Sequence, residues 1–354
     1  AINLQDVQRL SHVLAKEIKD IIEPVTIRRN RLDLQENPYY KNEVLELSRV
    51  KDPEEWFFEL TKEQSQFYDT IINRYFALPE DGGEFKGAIY IPFVYKIEKI
   101  DELEKEENRQ YIQQFNLYDF MRRLLVKRFE SSFGAFKQSI ENFLRLNKIV
   151  LNFITKTGRG DSLKGKYILD RQLLEKIYDK DLEDIEEYLK EYAESIRKNE
   201  YPKNHEIYEI EKFHKKNKFI EDINSDLTLF ERILNEMENL NLTQNDPKTL
   251  CLVDNLKEVI NEKPKKGEPK RKAIVFSEYI DTVKHLTSTL YREFNNRVLV
   301  VAGDLSASKI SEIYKNFDAS YPEQEDDYDI LLTTDKISEG FNLNRAGMVI
   351  NYDI

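Results

Sequence analysis

Residues 329–354 read DILLTTDKISEGFNLNRAGMVINYDI, and they set the architecture of the C-terminal part of the chain. Two short, continuous apolar runs, at 330–332 and 348–350, enclose a polar segment that contains Gly340. Such runs are typical of strands that are buried on both faces of a parallel sheet. This stretch therefore predicts two strands of an α/β domain that are joined by a polar loop.

Two more apolar runs lie upstream, at 273–276 and at 298–301. A helical spacing of apolar residues follows each of them, over 279–294 and over 306–317. Strands that alternate with helices in this way predict a doubly wound α/β domain with a parallel sheet. In sheets of this kind, ligands bind at the carboxyl ends of the strands.

Most of the remaining chain predicts helices. The helical period dominates from about residue 108 to residue 250, and the acidic stretch 171–200 reads as a solvated helix face. An amphipathic helix is predicted over 3–22 and a further helix over 62–77, whereas 53–60 (PEEWFFEL) reads as a strand. Pro92 makes 88–97 an edge strand or an irregular segment.

The sequence thus divides into three parts: residues 1–60 as a linker segment, residues 61–260 as a large, mainly helical domain, and residues 261–354 as the α/β domain. The α/β domain has few strands and ends directly after one, so we expect it to be incomplete.

The charge balance argues against a general affinity for nucleic acid, because 66 acidic residues outnumber 54 basic ones and the net charge is −12. Nucleic-acid binding would require a local basic patch. The segment 117–154 offers one, and its candidate contacts are Arg122, Arg123, Lys127 and Arg128. Packing of these residues against the acidic stretch 171–200 is the open alternative.

Metal and membrane functions find little support. The single cysteine, Cys251, excludes a disulfide framework and suits the reducing cytoplasm, and the four histidines lack metal-ligand spacing. No apolar run is long enough to span a membrane. We therefore predict a cytoplasmic protein without a metal site of its own.

Hydroxyls and glycines recur where the predicted strands end. Ser277 follows the first strand, Gly303 the second, and Thr333 and Thr334 close the third. Ser338, Glu339, Gly340 and Asn342 come next along the chain. Hydroxyls donate to phosphate oxygens, and glycine allows a ligand to approach the backbone closely. We predict a phosphate-facing edge from these residues.

Catalytic residues are not predicted in this chain. The stretch 160–167 matches the phosphate-loop pattern G-x-x-x-x-G-K, but Tyr167 stands where a magnesium-binding Ser or Thr is required. No Ser/His/Asp or Cys/His arrangement can be assembled either. We do not expect the chain alone to hydrolyse nucleotide.

The stretches KAIVFSEYIDTVKHLTSTL (272–290), VLVVAGDLSASKISEIYKNF (298–317) and 329–354 together resemble the second RecA-like lobe of superfamily-two helicases. The likeness is greatest to the Swi/Snf-type ATPases, in particular their bacterial branch. Phe276-Ser277 resembles motif IV of that family, and 333–343 resembles motif V. The paired arginines in 25–31 are similar to the segment that leaves the first lobe, and the stretch 60–68 resembles the opening of the family's second half.

The resemblance implies an ATP-dependent motor that tracks double-stranded DNA. ATP and Mg²⁺ would lie in a cleft between this lobe and an N-terminal helicase lobe of the same polypeptide. Ser277, Thr333 and Thr334 would contact phosphates of the tracked strand. Coupling to the ATP cleft would fall to Ser338, Glu339, Gly340, Asn342, Arg28 and Arg29. Motif VI and the Walker A and B motifs are not in this sequence, so the resemblance implies the C-terminal half of a motor.

Two alternatives stay open. The same fold could serve an RNA helicase or the translocating subunit of a restriction system. A helical scaffold without catalysis is the other alternative, and the acidic composition favours it.

Overall fold

The computed structural model describes residues 13–18, 21, 37–39, 51–98, 105–155, 166–170, 205–264, 270–303, 305–337 and 340–353. The chain forms two compact units, residues 1–56 and residues 57–354. In the first unit, residues 13–18 are helical, as the apolar spacing predicts. Arg28 and Arg29 lie outside the described residues, so their predicted roles stay predictions.

The last described residues of the first unit and the first residues of the second lack regular structure. Residues 51–61 form neither helix nor strand, and Phe57 is 83% exposed. The strand predicted over 53–60 is therefore wrong: its apolar residues find no neighbouring strand. Helix α1 (Lys62–Thr70) follows, and it starts with a capping box in which Gln64 N donates to Thr61 Oγ1 and Thr61 N to Gln64 Oε1.

The helical region is built from long helices that enclose one core. Its helices are α1, α2 (Phe93–Lys96), α3 (Lys105–Ser131), α4 (Phe133–Thr155) and α5 (Lys216–Asn239), and α6 (Pro247–Asn261) follows this region. Pro92 precedes α2 in a segment of short helical turns, so the irregular alternative for 88–97 is the correct one.

An antiparallel strand pair interrupts the helices, which the helical spacing did not predict. Strands β1 (Lys166–Asp170) and β2 (His205–Glu209) pair along their whole length, with Ile168 opposite Ile207. Tyr208 packs edge-on against Phe213, with ring centroids 5.9 Å apart, and anchors β2 to the core. The acidic stretch 171–200 lies outside the described residues.

Aromatic rings fill the core of the helical region. Phe85 stacks on Tyr118 at 5.6 Å between ring centroids, and Phe143 meets Phe230 edge-on at 5.7 Å. Both geometries are favourable for aromatic pairs. The core therefore accounts for many of the 20 Phe and 20 Tyr residues in the sequence.

A buried carboxylate holds the loop that leads into this core. Asp226 of α5 is fully buried, and it accepts hydrogen bonds from Lys86 N at 2.7 Å and from Gly87 N at 2.8 Å. Burial raises the pKa of Asp226 to about 7, against the lowering effect of these N–H groups. The carboxyl group thus binds a proton more tightly in the folded protein than in the unfolded chain.

This shift predicts a pH-dependent stability. Because the pKa is raised in the folded state, stability is highest below the unfolded pKa and is lost as the pH rises through about 7. Asp226→Asn removes the titration. From pH 5 to pH 8, the variant should gain roughly 2–3 kcal/mol of unfolding free energy relative to the wild type. Urea unfolding at both pH values measures this, with the exposed Glu221→Gln on the same helix as control. An unchanged difference would contradict the assignment.

The C-terminal part of the chain is an α/β layer with a parallel sheet. Its elements are β3 (Ala273–Ser277), α7 (Ile280–Phe294), β4 (Val298–Val301), α8 (Ala307–Phe317), β5 (Ile330–Thr334) and β6 (Met348–Asn351). The strand order is β4-β5-β3-β6, and all pairs are parallel. The predicted α/β fold, a RecA-like lobe beside a large helical region, is confirmed.

Candidate nucleic-acid interface

The carboxyl edge of the four-stranded sheet has two halves. In one half the backbone is accessible, and we call it the open half. In the other half, side chains of the protein itself occupy the edge, and we call it the filled half. The open half lies at the ends of β4 and β5. Gly303, directly after β4, and Gly340, in the segment after β5, adopt φ values of 77° and 85°, and a Cβ atom on either would have no neighbour within 4 Å among the described residues. Backbone is therefore accessible to a ligand at both positions. Ser338 and Glu339, between these strands and Gly340, lie outside the described residues.

The filled half lies at the ends of β3 and β6, and it contains Ser277. This serine is 1% exposed, and its Oγ donates to Asp353 Oδ2 at 2.6 Å. The same oxygen accepts from Glu278 N at 2.6 Å. On the other side, Asp353 Oδ1 accepts from Ser131 Oγ of α3 at 2.5 Å. The predicted contact between Ser277 and a phosphate is wrong, because a carboxylate of the chain itself takes the hydroxyl.

Thr333 and Thr334 are also unsuited to bind a phosphate. Both are buried, as is the whole of β5, which lies between β3 and β4. The Thr333 hydroxyl donates to the carbonyl of Thr334 at 3.2 Å. The side chains of Thr333 and Thr334 are therefore not accessible to a phosphate in this structure.

Asn342 lies away from the carboxyl edge. Its Nδ2 donates to Asp318 Oδ1 at 3.1 Å, directly after the C-terminal end of α8. Three residues later, Arg345 N donates to Phe317 O at 3.0 Å. The chain thus returns along α8 toward the start of β6, and the structure does not support a role of Asn342 at the ATP cleft.

Arg128 is a second correction among the predicted nucleic-acid contacts. Its side chain is 3% exposed, and Nη1 lies 3.2 Å from Asp281 Oδ2. The guanidinium carbon lies 4.1 Å from the ring centroid of Tyr279, a cation–π distance. A side chain enclosed in this way cannot reach a polymer, so the prediction for Arg128 is wrong.

Of the three other predicted contacts in the basic patch, only those on one exposed face of α3 remain accessible. Arg122 is largely buried and donates to Phe76 O at 2.8 Å, so it serves the core rather than a ligand. Arg123 is 65% exposed, and Lys127, one turn further on, is also exposed. Phe120 is 48% exposed on the same face, at spacings of three and seven residues from them. The sequence analysis missed Phe120, although its spacing could have identified it.

Lys248 of α6 makes further contacts next to the filled half, outside the sheet. Its Nζ donates to Glu130 O and Ser131 O, both at 3.1 Å, and lies 4.5 Å from the Tyr352 ring centroid. These carbonyls belong to the last turn of α3, where a cation is favourable. Burial lowers the pKa of Lys248 and raises that of Tyr352 well above its usual range.

Metal and membrane features are not found in the part of the chain that the structure describes. No three His, Cys, Asp or Glu residues there converge on a point where a metal ion could bind. Among the same residues, none of the helices is long and apolar enough to cross a bilayer.

Comparison with known proteins identifies the class of the C-terminal part. Residues 251–354 match the family described as the helicase conserved C-terminal domain. No curated protein matches the chain. A solved structure titled "Crystal structure of the C-terminal part of Fun30 ATPase domain" is similar over 84% of this chain and 73% of its own, at 15% identity and a TM-score of 0.31.

The family match and the parallel sheet agree with each other. Residues 251–354 form a helicase-type C-terminal lobe, and the helical region of residues 57–250 precedes it. The resemblance to superfamily-two helicases is confirmed at this level. The lobe belongs to a class of ATP-dependent enzymes.

Proposed function

We propose that this chain is the C-terminal motor half of an ATP-dependent translocase that moves on double-stranded DNA, of the Swi/Snf type and its bacterial branch. The observation that carries the proposal is the helicase C-terminal domain match over residues 251–354, on a parallel sheet with open backbone at Gly303, directly after β4, and at Gly340, in the segment after β5. The protein would act in the cytoplasm, where the free thiol of Cys251 stays reduced.

The chain would supply one wall of the ATP site. The open backbone at Gly340 fits a wall that a phosphate approaches, whereas the described residues offer no cluster of metal ligands. We therefore assign ATP and Mg²⁺ chiefly to an N-terminal helicase lobe of the same polypeptide. ATP and Mg²⁺ supply the phosphoryl transfer. Ser338, Glu339, Arg28 and Arg29 stay candidates for the coupling, and this chain alone should not hydrolyse ATP.

DNA would contact the chain through its backbone. Lys and Arg side chains that neutralise phosphates give an affinity that is independent of base sequence and falls with salt. Arg123 and Lys127 are the exposed cations among the four predicted contacts, and Gly303 and Gly340 are positions of open backbone in the lobe. This footprint is smaller than the sequence predicts.

Charge reversal tests the footprint. Arg123→Glu with Lys127→Glu should weaken duplex DNA binding by this chain at least about tenfold at low salt, and should lower the salt slope by about 2. Fluorescence anisotropy of a labelled duplex at several salt concentrations measures both values. The matched control is Arg292→Glu with Lys212→Glu, which makes the same charge change at an exposed arginine and an exposed lysine outside segment 117–154. Equal losses in the two double variants would remove α3 from the footprint.

The two alternatives predict different results. An RNA helicase or a restriction-system subunit would keep the fold and the ATP site but would respond to a different polymer. A helical scaffold without catalysis predicts that a change at Gly340 leaves the activity of the complete polypeptide intact. The net charge of −12 is the observation that favours the scaffold.

A further inference from the structure

One buried and one partly buried polar contact connect the helical region to the filled half of the sheet edge. The first is the ion pair of Arg128 with Asp281, which are 3% and 7% exposed. The second is Asp353, which links Ser131 of α3 to Ser277 after β3. We refer to these five residues as the joint.

The joint lies at a break between two long helices. Helix α3 ends at Ser131 and α4 starts at Phe133, with the Ser132 Oγ accepting from Ala135 N at 3.0 Å. The first turn of α7 fits into this break, since Ser131 Oγ lies 2.7 Å from Thr282 Oγ1. Gly134 is in close contact there, because a Cβ atom would overlap the ring of His285. The break between α3 and α4 is therefore in close contact with the first turns of α7.

The polar contacts of the joint favour one arrangement of the helical region relative to the sheet edge. A buried ion pair contributes little net stability, because removing both charges from water costs about as much as their attraction returns. Asp353, in turn, satisfies three donors, from Ser131, Ser277 and Glu278, with two oxygens. Contacts of this kind are satisfied in one arrangement, and a small displacement leaves buried polar groups unpaired.

We infer that Arg128 and Ser131, which belong to the helical region, are positioning residues for the carboxyl edge of the sheet. They fix the loop after β3 and the end of β6, on either side of the same strand pair. Strand β3 also pairs with β5, whose following segment leads to Gly340. The helical region thus sets the geometry of the edge that contacts DNA and ATP. The inference rests on the proposed function for its catalytic consequence.

A set of variants separates positioning from stability. Arg128→Met and Asp281→Leu should each lower the melting temperature by on the order of 5–10 °C, because each removes one partner of a buried ion pair. The double variant should recover to within about 2 °C, because both charges are gone. Its amide exchange over 277–282 should nevertheless stay at least about tenfold faster than in the wild type. In a polypeptide with both lobes, its DNA-stimulated kcat should fall at least about tenfold, with KM for ATP unchanged.

The controls keep the inference falsifiable. Arg292→Met, at an exposed position of α7 outside the proposed DNA footprint, should change none of these values. If the double variant fails to recover its stability, Ser131→Ala is the second test, since it removes one donor to Asp353 and should speed exchange at 277–282. Wild-type exchange rates in the stable double variant, or in Ser131→Ala, would overturn the inference. Absent DNA stimulation in the wild type would refute the proposed function, and the exchange rates would still decide the positioning role.

Discussion

Gly87→Ala is expected to lower the unfolding free energy of the helical region by about 3 kcal/mol or more. Gly87 adopts φ 56°, where a side chain costs energy, and a Cβ atom would overlap the Tyr118 ring. The ring has no room to retreat, because it stacks on Phe85 and its hydroxyl donates to Phe85 O at 3.1 Å. A shift of the loop would break the hydrogen bonds to Asp226.

The sequence contains a matched control for this prediction. Gly82 adopts φ 84°, but a Cβ atom there would have no neighbour within 4 Å. Gly82→Ala should therefore cost only the backbone strain, about 1–2 kcal/mol. Urea unfolding followed by circular dichroism gives both values. An equal loss in the two variants would mean that Tyr118 does not pack on Gly87 as described.

The second large effect is expected at Gly340, in a polypeptide that carries both lobes. Gly340→Asp should reduce DNA-stimulated ATP hydrolysis at least about a hundredfold, because it puts a carboxylate on the edge that we assign to phosphates. Folding should suffer little, since the position is exposed and open, with φ 85° as the only strain. A hydrolysis assay with saturating duplex DNA, beside a melting curve, separates the two effects.

Two control variants separate the effect of the added charge from the effect of its position in the sequence. Gly340→Asn has nearly the same size without the charge, and Asn tolerates left-handed backbone, so it should keep most of the activity. Gly347→Asp adds the same carboxylate at an open position near the start of β6, where Gly347 N donates to Lys272 O. This variant should hydrolyse ATP like the wild type. Equal losses at the two glycines would show that the effect is not specific to the carboxyl edge.

The fold of the C-terminal part could be predicted because its signals are local. Each strand is a continuous apolar run, and α7 and α8 follow with a clear helical period. The strand pair β1–β2 could not be predicted in this way, since 34 residues separate its two members. The stretch 53–60 shows the opposite failure, because a β-prone composition forms no strand without a partner.

The site residues were also harder to predict, because their partners lie far away in the sequence. Ser277 has the composition of a phosphate contact, but its hydroxyl is taken by Asp353, 76 residues further along the chain. Arg128 has the charge of a DNA contact, yet it faces Asp281 from a distance of 153 residues. Neither partner is visible from local sequence. Gly303 and Gly340 have the left-handed backbone that glycine favours, and their roles as ligand contacts stay predictions.

The basic residues of α3 therefore have different roles from one another. The basic stretch of α3 serves two purposes: Arg123 and Lys127 face outward, whereas Arg128 secures the lobe. A survey of charge along the sequence cannot separate these purposes, because successive helical residues point in different directions. Measurements on pooled charge variants of 122–128 would therefore confound binding with the positioning of the sheet edge.

The most direct test of the central claim is ATP hydrolysis by the polypeptide that carries both lobes, measured without nucleic acid, with duplex DNA and with RNA. This chain alone serves as the blank. The proposal predicts strong stimulation by duplex DNA, much weaker stimulation by RNA and no hydrolysis by the blank. Hydrolysis that no nucleic acid stimulates, with the chain folded, would contradict the translocase and favour the helical scaffold.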